Sequence, residues 1–323
     1  MKISKMPLFC FLIFLCCAGL NAQDNTNDIV SALKGLLYCM NTMDDMGYAG
    51  GENADSSLKW KVELNTRKGK VIFTEFSFYT VTDQLKANDI IVFNGTLDVN
   101  DQIFNGTLKV SGKNKSVSSM TFYDFDFWDD ENEGKVSVNG KNFPAEEFRD
   151  LLYQADGDYD GVFTWETEGL YACLYLLMLK HDFEWSNGAN VLNSIVDTDI
   201  MPEAGTKTAN EDGTITAVVR EKGIEFTYNN LSLNPEENNP LGIAFSATGK
   251  VVMGCEYDLE NDIDSIFFDG DIVFVGLKLI SSMSFKNCVI DDTDDEDETL
   301  KGFIVVNGRE YAFRDFLSII MKI

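Results

Sequence analysis

Ser118-Ser119-Met120-Thr121-Phe122 returns later in the chain as Ser281-Ser282-Met283-Ser284-Phe285. Other short matches occur on both sides of this stretch and keep the same order along the chain. They pair Gly35-Leu36 with Gly169-Leu170, Cys39 with Cys173, Phe104-Asn105-Gly106 with Phe268-Asp269-Gly270, Val138-Asn139-Gly140 with Val306-Asn307-Gly308, and Phe148-Arg149-Asp150 with Phe313-Arg314-Asp315. Collinear matches are the signature of an internal repeat. The sequence therefore predicts two copies of one domain.

The repeat also sets the predicted domain boundaries. The chain is expected to divide into an N-terminal segment at 1–22, a first repeat domain at 23–155, an acidic interdomain loop at 156–168 and a second repeat domain at 169–323. Each copy is then close to the usual size of a single domain, about 100–150 residues. The second copy is longer, and its extra residues are predicted between His181 and Asp212.

Each copy is predicted to contain a helix, then several strands, then a closing helix. In the first copy, Ile29, Leu33 and Leu36 have helical spacing. From Leu58 to Leu64, apolar and polar residues alternate with the period of a half-buried strand. Further strands are predicted at 70–79, 89–99, 103–110, 117–127 and 135–138, and the closing helix is predicted to begin at Pro144.

Short connections such as Asn139-Gly140 favour antiparallel pairing of neighbouring strands. Asn94-Gly95 and Asn105-Gly106 are predicted either as turns or as bulges within longer strands. The predicted fold class is α+β, with tandem duplicated domains that each form an antiparallel meander flanked by N- and C-terminal helices. The alternative is a small closed β-barrel with terminal helices.

Residues 1–22 have the pattern of a secretory signal peptide. Lys2 and Lys5 precede an apolar run, and Ala22 is a small residue suited to cleavage. We therefore expect an exported protein, either secreted or periplasmic. Cleavage removes two lysines and no acidic residue, so the formal net charge changes from −27 to −29. Such a surface repels phosphate backbones and anionic headgroups, so nucleic acid and anionic membranes are not expected as partners.

The acidic loop carries the one recognisable site pattern, Asp156-Gly157-Asp158-Tyr159-Asp160-Gly161. It places oxygen ligands at positions 1, 3 and 5 and glycine at position 6, and it resembles the calcium loop of the EF-hand family. Position 12, a glutamate in that family, is Thr167 here. The resemblance implies calcium bound by Asp156, Asp158 and Asp160 together with Glu166 or Glu168. The alternative is a hydrophilic turn, in which Asp and Gly are favoured for conformational reasons.

The sequence contains few of the motifs that identify enzymes. Its single histidine, His181, cannot form a histidine-rich metal site alone, and G-x-S-x-G, H-E-x-x-H, G-x-G-x-x-G and the P-loop are absent. We therefore predict a noncatalytic binding or structural protein, stabilised by calcium if the loop binds it, whose partner is a protein, a ligand or a cation. The alternative is a secreted hydrolase with paired carboxylates, since two acids need only the right separation in space.

Four cysteines lie outside residues 1–22. Cys39 and Cys173 occupy matching places on apolar helices, so both are predicted to be buried and unbridged. Cys255 and Cys288 lie among the strands of the second copy, where export would allow them to oxidise to a disulfide. The sequence leaves this pairing open, because the separation of their Cα atoms is decided by the fold.

Overall fold

A computed structural model describes residues 26–320, apart from 44–46, 48, 82–85, 102, 114, 128–133, 156–160, 180–182, 235–240, 258–262 and 292–298. The predicted signal peptide and His181 lie outside the described residues. The chain divides into two compact units. Unit 1 comprises the chain up to Glu52, Ser56–Thr80 and Asp89–Val162, and unit 2 comprises Asn53–Asp55, Val81–Asn88 and Phe163–Ile323.

Unit 1 contains one antiparallel sheet whose strands are hydrogen-bonded in chain order. Helix α1 (residues 26–43) precedes the sheet, and α2 (Ala145–Ala155) follows it. The strands are β1 (Gly50–Glu52), β2 (Leu58–Glu63), β3 (Lys68–Thr80), β4 (Ile91–Asn100), β5 (Ile103–Gly112), β6 (Ser119–Asp126), β7 (Lys135–Val138) and β8 (Lys141–Pro144). A further short strand, β9 (Val162–Phe163), pairs with β3.

Unit 2 begins with helix α3 (Trp165–Leu179) and ends with α5 (Phe313–Ile320). Its strands also pair antiparallel in chain order: β10 (Lys207–Ala209), β11 (Ile215–Val219), β12 (Ile224–Leu233), β13 (Phe245–Tyr257), β14 (Ile263–Val275), β15 (Ser282–Asp291), β16 (Thr299–Val306) and β17 (Arg309–Ala312). The stretch between α3 and β10 contains the short helix α4 (Asn193–Val196) and a 3-10 turn at Thr198–Ile200. Buried Trp185 anchors this stretch by donating a 3.0 Å hydrogen bond to Ser194 Oγ.

The prediction of antiparallel sheets with a few helices is confirmed. Neither sheet closes on itself, because the pairing paths end at β1 and β8 in unit 1 and at β10 and β17 in unit 2. The predicted alternative of a closed barrel is therefore wrong. Closure would need the two end strands of a path to pair, but these strands are only three or four residues long. In the part of the chain that the structure describes, no helix has both the length and the apolar character of a membrane span.

Helices and sheets approach closely at two glycines that the repeat matches. Gly35 lies on α1, and a Cβ atom there would be 2.0 Å from Phe78 Cζ. Gly169 lies on α3, where a Cβ atom would be 2.7 Å from Ile280 Cδ1. A side chain at Gly35 would therefore displace the Phe78 ring, and one at Gly169 would displace the end of the Ile280 side chain, so glycine allows both helices to approach their sheets closely.

The two Asn-Gly dipeptides inside strands, Asn94-Gly95 and Asn105-Gly106, mark bulges rather than turns. Gly95 and Gly106 lie within β4 and β5, opposite register shifts at Glu75 and Asp124, both of which have positive φ. Asn94 Oδ1 accepts a 2.9 Å hydrogen bond from the Glu75 backbone amide, and Asn105 Oδ1 accepts one of 2.9 Å from the Asp124 amide. The side chain before each glycine therefore satisfies the amide that the bulge removes from the ladder.

The repeated Ser-Ser and Asn-Gly motifs belong to one structural clamp. Asn139 has φ 52° and begins the turn between β7 and β8. Its Oδ1 accepts hydrogen bonds from the amides of Ser118 and Ser119 at 2.7 and 3.1 Å. Asn307 has φ 51°, and its Oδ1 likewise accepts from the Ser281 amide at 2.7 Å. The repeated Ser-Ser motif thus contacts the same kind of Asn-Gly turn in both sheets.

All four cysteines in the described residues are free thiols, which confirms the prediction for buried Cys39 and Cys173. The pairing considered for Cys255 and Cys288 does not form. Cys255 lies on β13 and Cys288 on β15, with β14 between them. Two strand spacings separate such residues by about 9.5 Å, whereas a disulfide requires a Cα separation below about 7 Å.

Candidate functional site

The predicted calcium residues fall into two groups. Asp156, Asp158 and Asp160 lie outside the described residues. Glu166 and Glu168 lie in the first turn of α3, and both are buried, with 1% and 0% of their surface exposed. Burial of two acidic side chains on one helical turn requires specific partners, since an isolated buried charge is strongly unfavourable.

Thr164 and Thr167 cap the start of α3. The Thr164 amide donates a 2.8 Å hydrogen bond to Thr167 Oγ1, and the Thr167 amide donates one of 3.5 Å to Thr164 Oγ1. Reciprocal bonding of this kind satisfies amides that the first helical turn leaves without partners. Thr167, which stands where an EF-hand loop has glutamate, therefore serves as a capping residue here.

Glu168 binds a row of backbone amides from the loop between β14 and β15. Its Oε1 accepts from Lys278 N at 2.9 Å, and its Oε2 accepts from Leu279 N at 2.7 Å and from Ile280 N at 2.9 Å. Three converging N–H donors suit the acceptor-only character of a carboxylate. Glu168 thereby fixes the start of α3 to a loop more than one hundred residues away in the chain.

Glu166 has a different environment. Its Oε1 accepts a 3.3 Å hydrogen bond from Asn53 Nδ2, whereas none of the described residues pairs with its Oε2. Burial, reinforced by the nearby charge of Asp55, raises the pKa of Glu166 to about 8. The carboxyl is therefore protonated at neutral pH. Next to it, Trp165 Nε1 is also buried without a partner in the described chain, and its ring stacks on Tyr311 with centroids 4.6 Å apart.

The two glutamates are thus engaged by different parts of unit 2. No group of three or more His, Cys, Asp or Glu side chains within the described ranges is arranged to hold a metal. The calcium prediction accordingly depends on Asp156, Asp158 and Asp160, and it stays a prediction.

A second candidate site is an apolar pocket in unit 2 with a volume of about 190 Å³. Its lining includes Leu170, Cys173 and Leu174 from α3, Ile272, Met283, Phe285 and Ile290 from the sheet, and Phe313 and Phe316 from α5. No charged side chain is among the described residues that line it. Most ligand pockets are concave and mainly apolar, so this space is a candidate binding site.

The pocket has a buried side and a side that faces solvent. Cys173 and Met283 are buried, and Cys173 Sγ lies 3.8 Å from Met283 Sδ. Leu174 is 38% exposed, and Phe285 and Ile290 are partly exposed. A ligand could therefore enter beside Leu174 and reach the two sulfur atoms.

Strand pairing around Phe268, which lines the pocket, can be compared with strand pairing around its match Phe104 in unit 1. Phe104 on β5 pairs with Phe125 on β6, and Phe268 on β14 pairs with Cys288 on β15. Phe104 and Phe268 are matched by the sequence repeat as well. Cys288 thus occupies the register position that Phe125 occupies in unit 1.

Unit 1 fills this region with aromatic rings. The ring of Phe125 lies 5.1 Å from that of Phe127 and 5.4 Å from that of Phe148, and all three are buried. Two residues after Phe125 comes Phe127, whereas two residues after Cys288 comes Ile290. Of the two smaller residues, Ile290 lines the pocket, and its side chain fills less volume than the Phe127 ring does in unit 1.

Sequence reasoning missed this pocket although the signal was present. The offset of 163 residues that relates Ser118 to Ser281 also relates Phe125 to Cys288 and Phe127 to Ile290. The same match, extended by a few residues, pairs two phenylalanines of the first copy with smaller side chains in the second copy. In comparisons with known proteins, no protein-family model matches the chain, and a search of curated proteins finds no significant match.

Proposed function

We propose that this protein is an exported, noncatalytic binding protein that arose by duplication of one α+β domain. In this proposal the first copy serves as a solidly packed scaffold, and the second copy binds an apolar ligand. The observation that carries the proposal is the apolar pocket of about 190 Å³, which is lined by Ile290 where the matched residue of unit 1 is the buried Phe127.

The energetic consequence of an empty pocket supports a ligand. Enclosed cavities in protein cores lower stability by about 24 cal/mol per Å³, which sets an upper bound of about 4.6 kcal/mol for a space of 190 Å³ that opens to solvent beside Leu174. That amount is comparable with the whole stability of many domains. Unit 1 avoids the loss with Phe125 and Phe127, whereas a bound ligand would restore the missing contacts in unit 2.

The environment of Glu166 favours the noncatalytic proposal over a hydrolase with paired carboxylates. A general acid must reach the bond that it protonates. Glu166 has the raised pKa expected of such an acid and has Asp55 nearby, but only 1% of its surface is exposed. Calcium held by the acidic loop is proposed as a stabilising ion, and its test is described in the Discussion.

The binding proposal is tested by adding small apolar molecules to the folded protein. We expect toluene or cyclohexane to raise the melting temperature, because a ligand that binds only the native state stabilises it. Ile290→Phe should abolish this rise by placing a ring in the pocket. Val273→Phe is the matched control, because Val273 is 52% exposed and the added ring would lie in solvent.

Circular dichroism of each variant checks that the fold is retained. Equal melting shifts in the wild type, Ile290→Phe and Val273→Phe would place the probes elsewhere and overturn the proposal. No shift with either probe in the wild type would also overturn it.

A further inference from the structure

We infer that the ligand of the unit 2 pocket presents a single uncharged aromatic ring to the sulfur atoms of Cys173 and Met283. This inference rests on the proposed binding function and specifies the class of ligand. It is carried by the size of the pocket, the sulfur pair on its buried side, and the ring that occupies the matched space in unit 1.

The volume limits the ligand to a compact group. An engineered apolar cavity of about 150 Å³ in another protein stays dry and binds benzene. The pocket of about 190 Å³ is slightly larger, so it accommodates one six-membered ring with a small substituent. Long acyl chains and fused ring systems exceed this space.

The buried side of the pocket favours an aromatic ring over an aliphatic one of the same size. Cys173 Sγ and Met283 Sδ lie 3.8 Å apart and are both buried. Burial raises the pKa of the Cys173 thiol to about 12, so its sulfur stays neutral. Polarisable sulfur makes favourable contacts with ring edges, and one such contact strengthens binding by about twofold to tenfold.

Unit 1 shows what kind of group fits this geometry. The ring of Phe125 meets that of Phe148 edge-to-face, at an interplanar angle of 90°. The repeat matches Phe148 to Phe313, which lines the pocket, and strand register matches Phe125 to Cys288. Phe313 therefore offers a ligand ring the kind of edge-to-face partner that Phe148 offers the Phe125 ring in unit 1.

The lining also determines what the ring carries. Since no charged side chain is among the described lining residues, a charged substituent within the pocket would lack a partner. A polar substituent is accommodated where it points past Leu174 into solvent.

The experiment compares fluorobenzene with fluorocyclohexane, which share a six-carbon ring and one fluorine atom. Titration of the full chain, followed by ¹⁹F NMR, gives a dissociation constant for each probe. We expect fluorobenzene to bind several-fold more tightly. Met283→Leu should reduce this preference by removing one sulfur, whereas Met253→Leu, a buried substitution outside the pocket lining, should leave it unchanged.

The outcomes separate this inference from the binding proposal. Equal affinities, or a preference for fluorocyclohexane, would overturn the aromatic ligand class and leave the apolar pocket as a binding site. Absence of binding by both probes would overturn both proposals. Ile290→Phe should abolish binding by placing a ring in the pocket, and Phe285→Trp, at another partly exposed lining residue, provides the same test if Ile290→Phe does not fold.

Discussion

Asn139 combines a positive φ with side-chain hydrogen bonds that few other residues can make. Its Oδ1 accepts hydrogen bonds from the amides of Ser118 and Ser119, and its Nδ2 donates a 2.6 Å hydrogen bond to the Ser116 carbonyl. Asn tolerates left-handed backbone better than most residues, so one side chain satisfies both the turn and the neighbouring loop.

We expect Asn139→Ala to lower the free energy of unfolding by about 2 kcal/mol, because several hydrogen bonds are lost and alanine is strained at positive φ. Urea denaturation followed by circular dichroism measures this change. Asn142→Ala, an exposed substitution on the adjacent strand, is the control and should have little effect. A loss no greater than that of the control would show that the clamp contributes nothing to stability.

Glu166 gives the protein a specific dependence of stability on pH. Its pKa rises from 4.5 to about 8 in the folded chain, mainly through burial and further through Asp55. The folded state therefore holds a proton that the unfolded state releases between these pH values. This contribution to stability is fully present below pH 4.5 and is lost as the pH rises toward about 8.

We expect Glu166→Gln to remove this loss, because glutamine resembles the protonated acid and has no charge to bury. Between pH 4.5 and pH 7 the wild type should lose on the order of 3 kcal/mol from this group. Chemical denaturation at both pH values should show that the free energy of unfolding of Glu166→Gln increases relative to that of the wild type as the pH rises. Glu225→Gln is the control, because Arg220 lowers the pKa of Glu225 and its effect has the opposite sign. A parallel pH dependence of wild type and Glu166→Gln would contradict this account.

At the scale of elements, the loop between α2 and α3 is where the calcium prediction is tested. Calcium takes six to eight oxygen ligands, and three aspartates brought together without it repel one another. We expect calcium to raise the melting temperature, with a gain of about 2.7 kcal/mol at one hundred times Kd. Asp158→Ala should abolish the gain while leaving the calcium-free stability almost unchanged.

The matched control for this test is Asp212→Ala, an exposed acid in unit 2 outside the acidic loop. That variant should keep the full response to calcium. If the wild type shows the same melting temperature in calcium and in a chelator, the acidic loop returns to its alternative interpretation as a hydrophilic turn.

The strands could be predicted from sequence because each sheet buries one face. Leu58, Trp60 and Val62 are buried on β2 and alternate with exposed neighbours, as the period of two requires. The sequence does not distinguish bulges from turns at Asn94-Gly95 and Asn105-Gly106, since Asn-Gly favours positive φ in a turn and in a bulge alike. The distinction comes from pairing with the adjacent strand, which a short window of sequence does not contain.

The environment of the acidic residues was not predictable in the same way. The resemblance to an EF-hand loop predicts Glu166 or Glu168 as a calcium ligand, but the neighbours of these residues come from distant segments, Asn53 and residues 278–280. The pocket was missed for a different reason. Hydrophobic periodicity treats Ile290 and its match Phe127 alike as apolar and ignores the difference in their volume, although Ile290 lines the pocket.

At the scale of the whole molecule, the strand order has a consequence for folding. Along the paths β1–β8 and β10–β17, every strand pairs with the strand next to it in the chain. Pairing of this kind has low contact order for a sheet, because each step closes only a hairpin-sized loop and loses little chain entropy. Either sheet can therefore grow one strand at a time. For a chain that is proposed to be exported, assembly of a sheet can begin before the last strand has arrived.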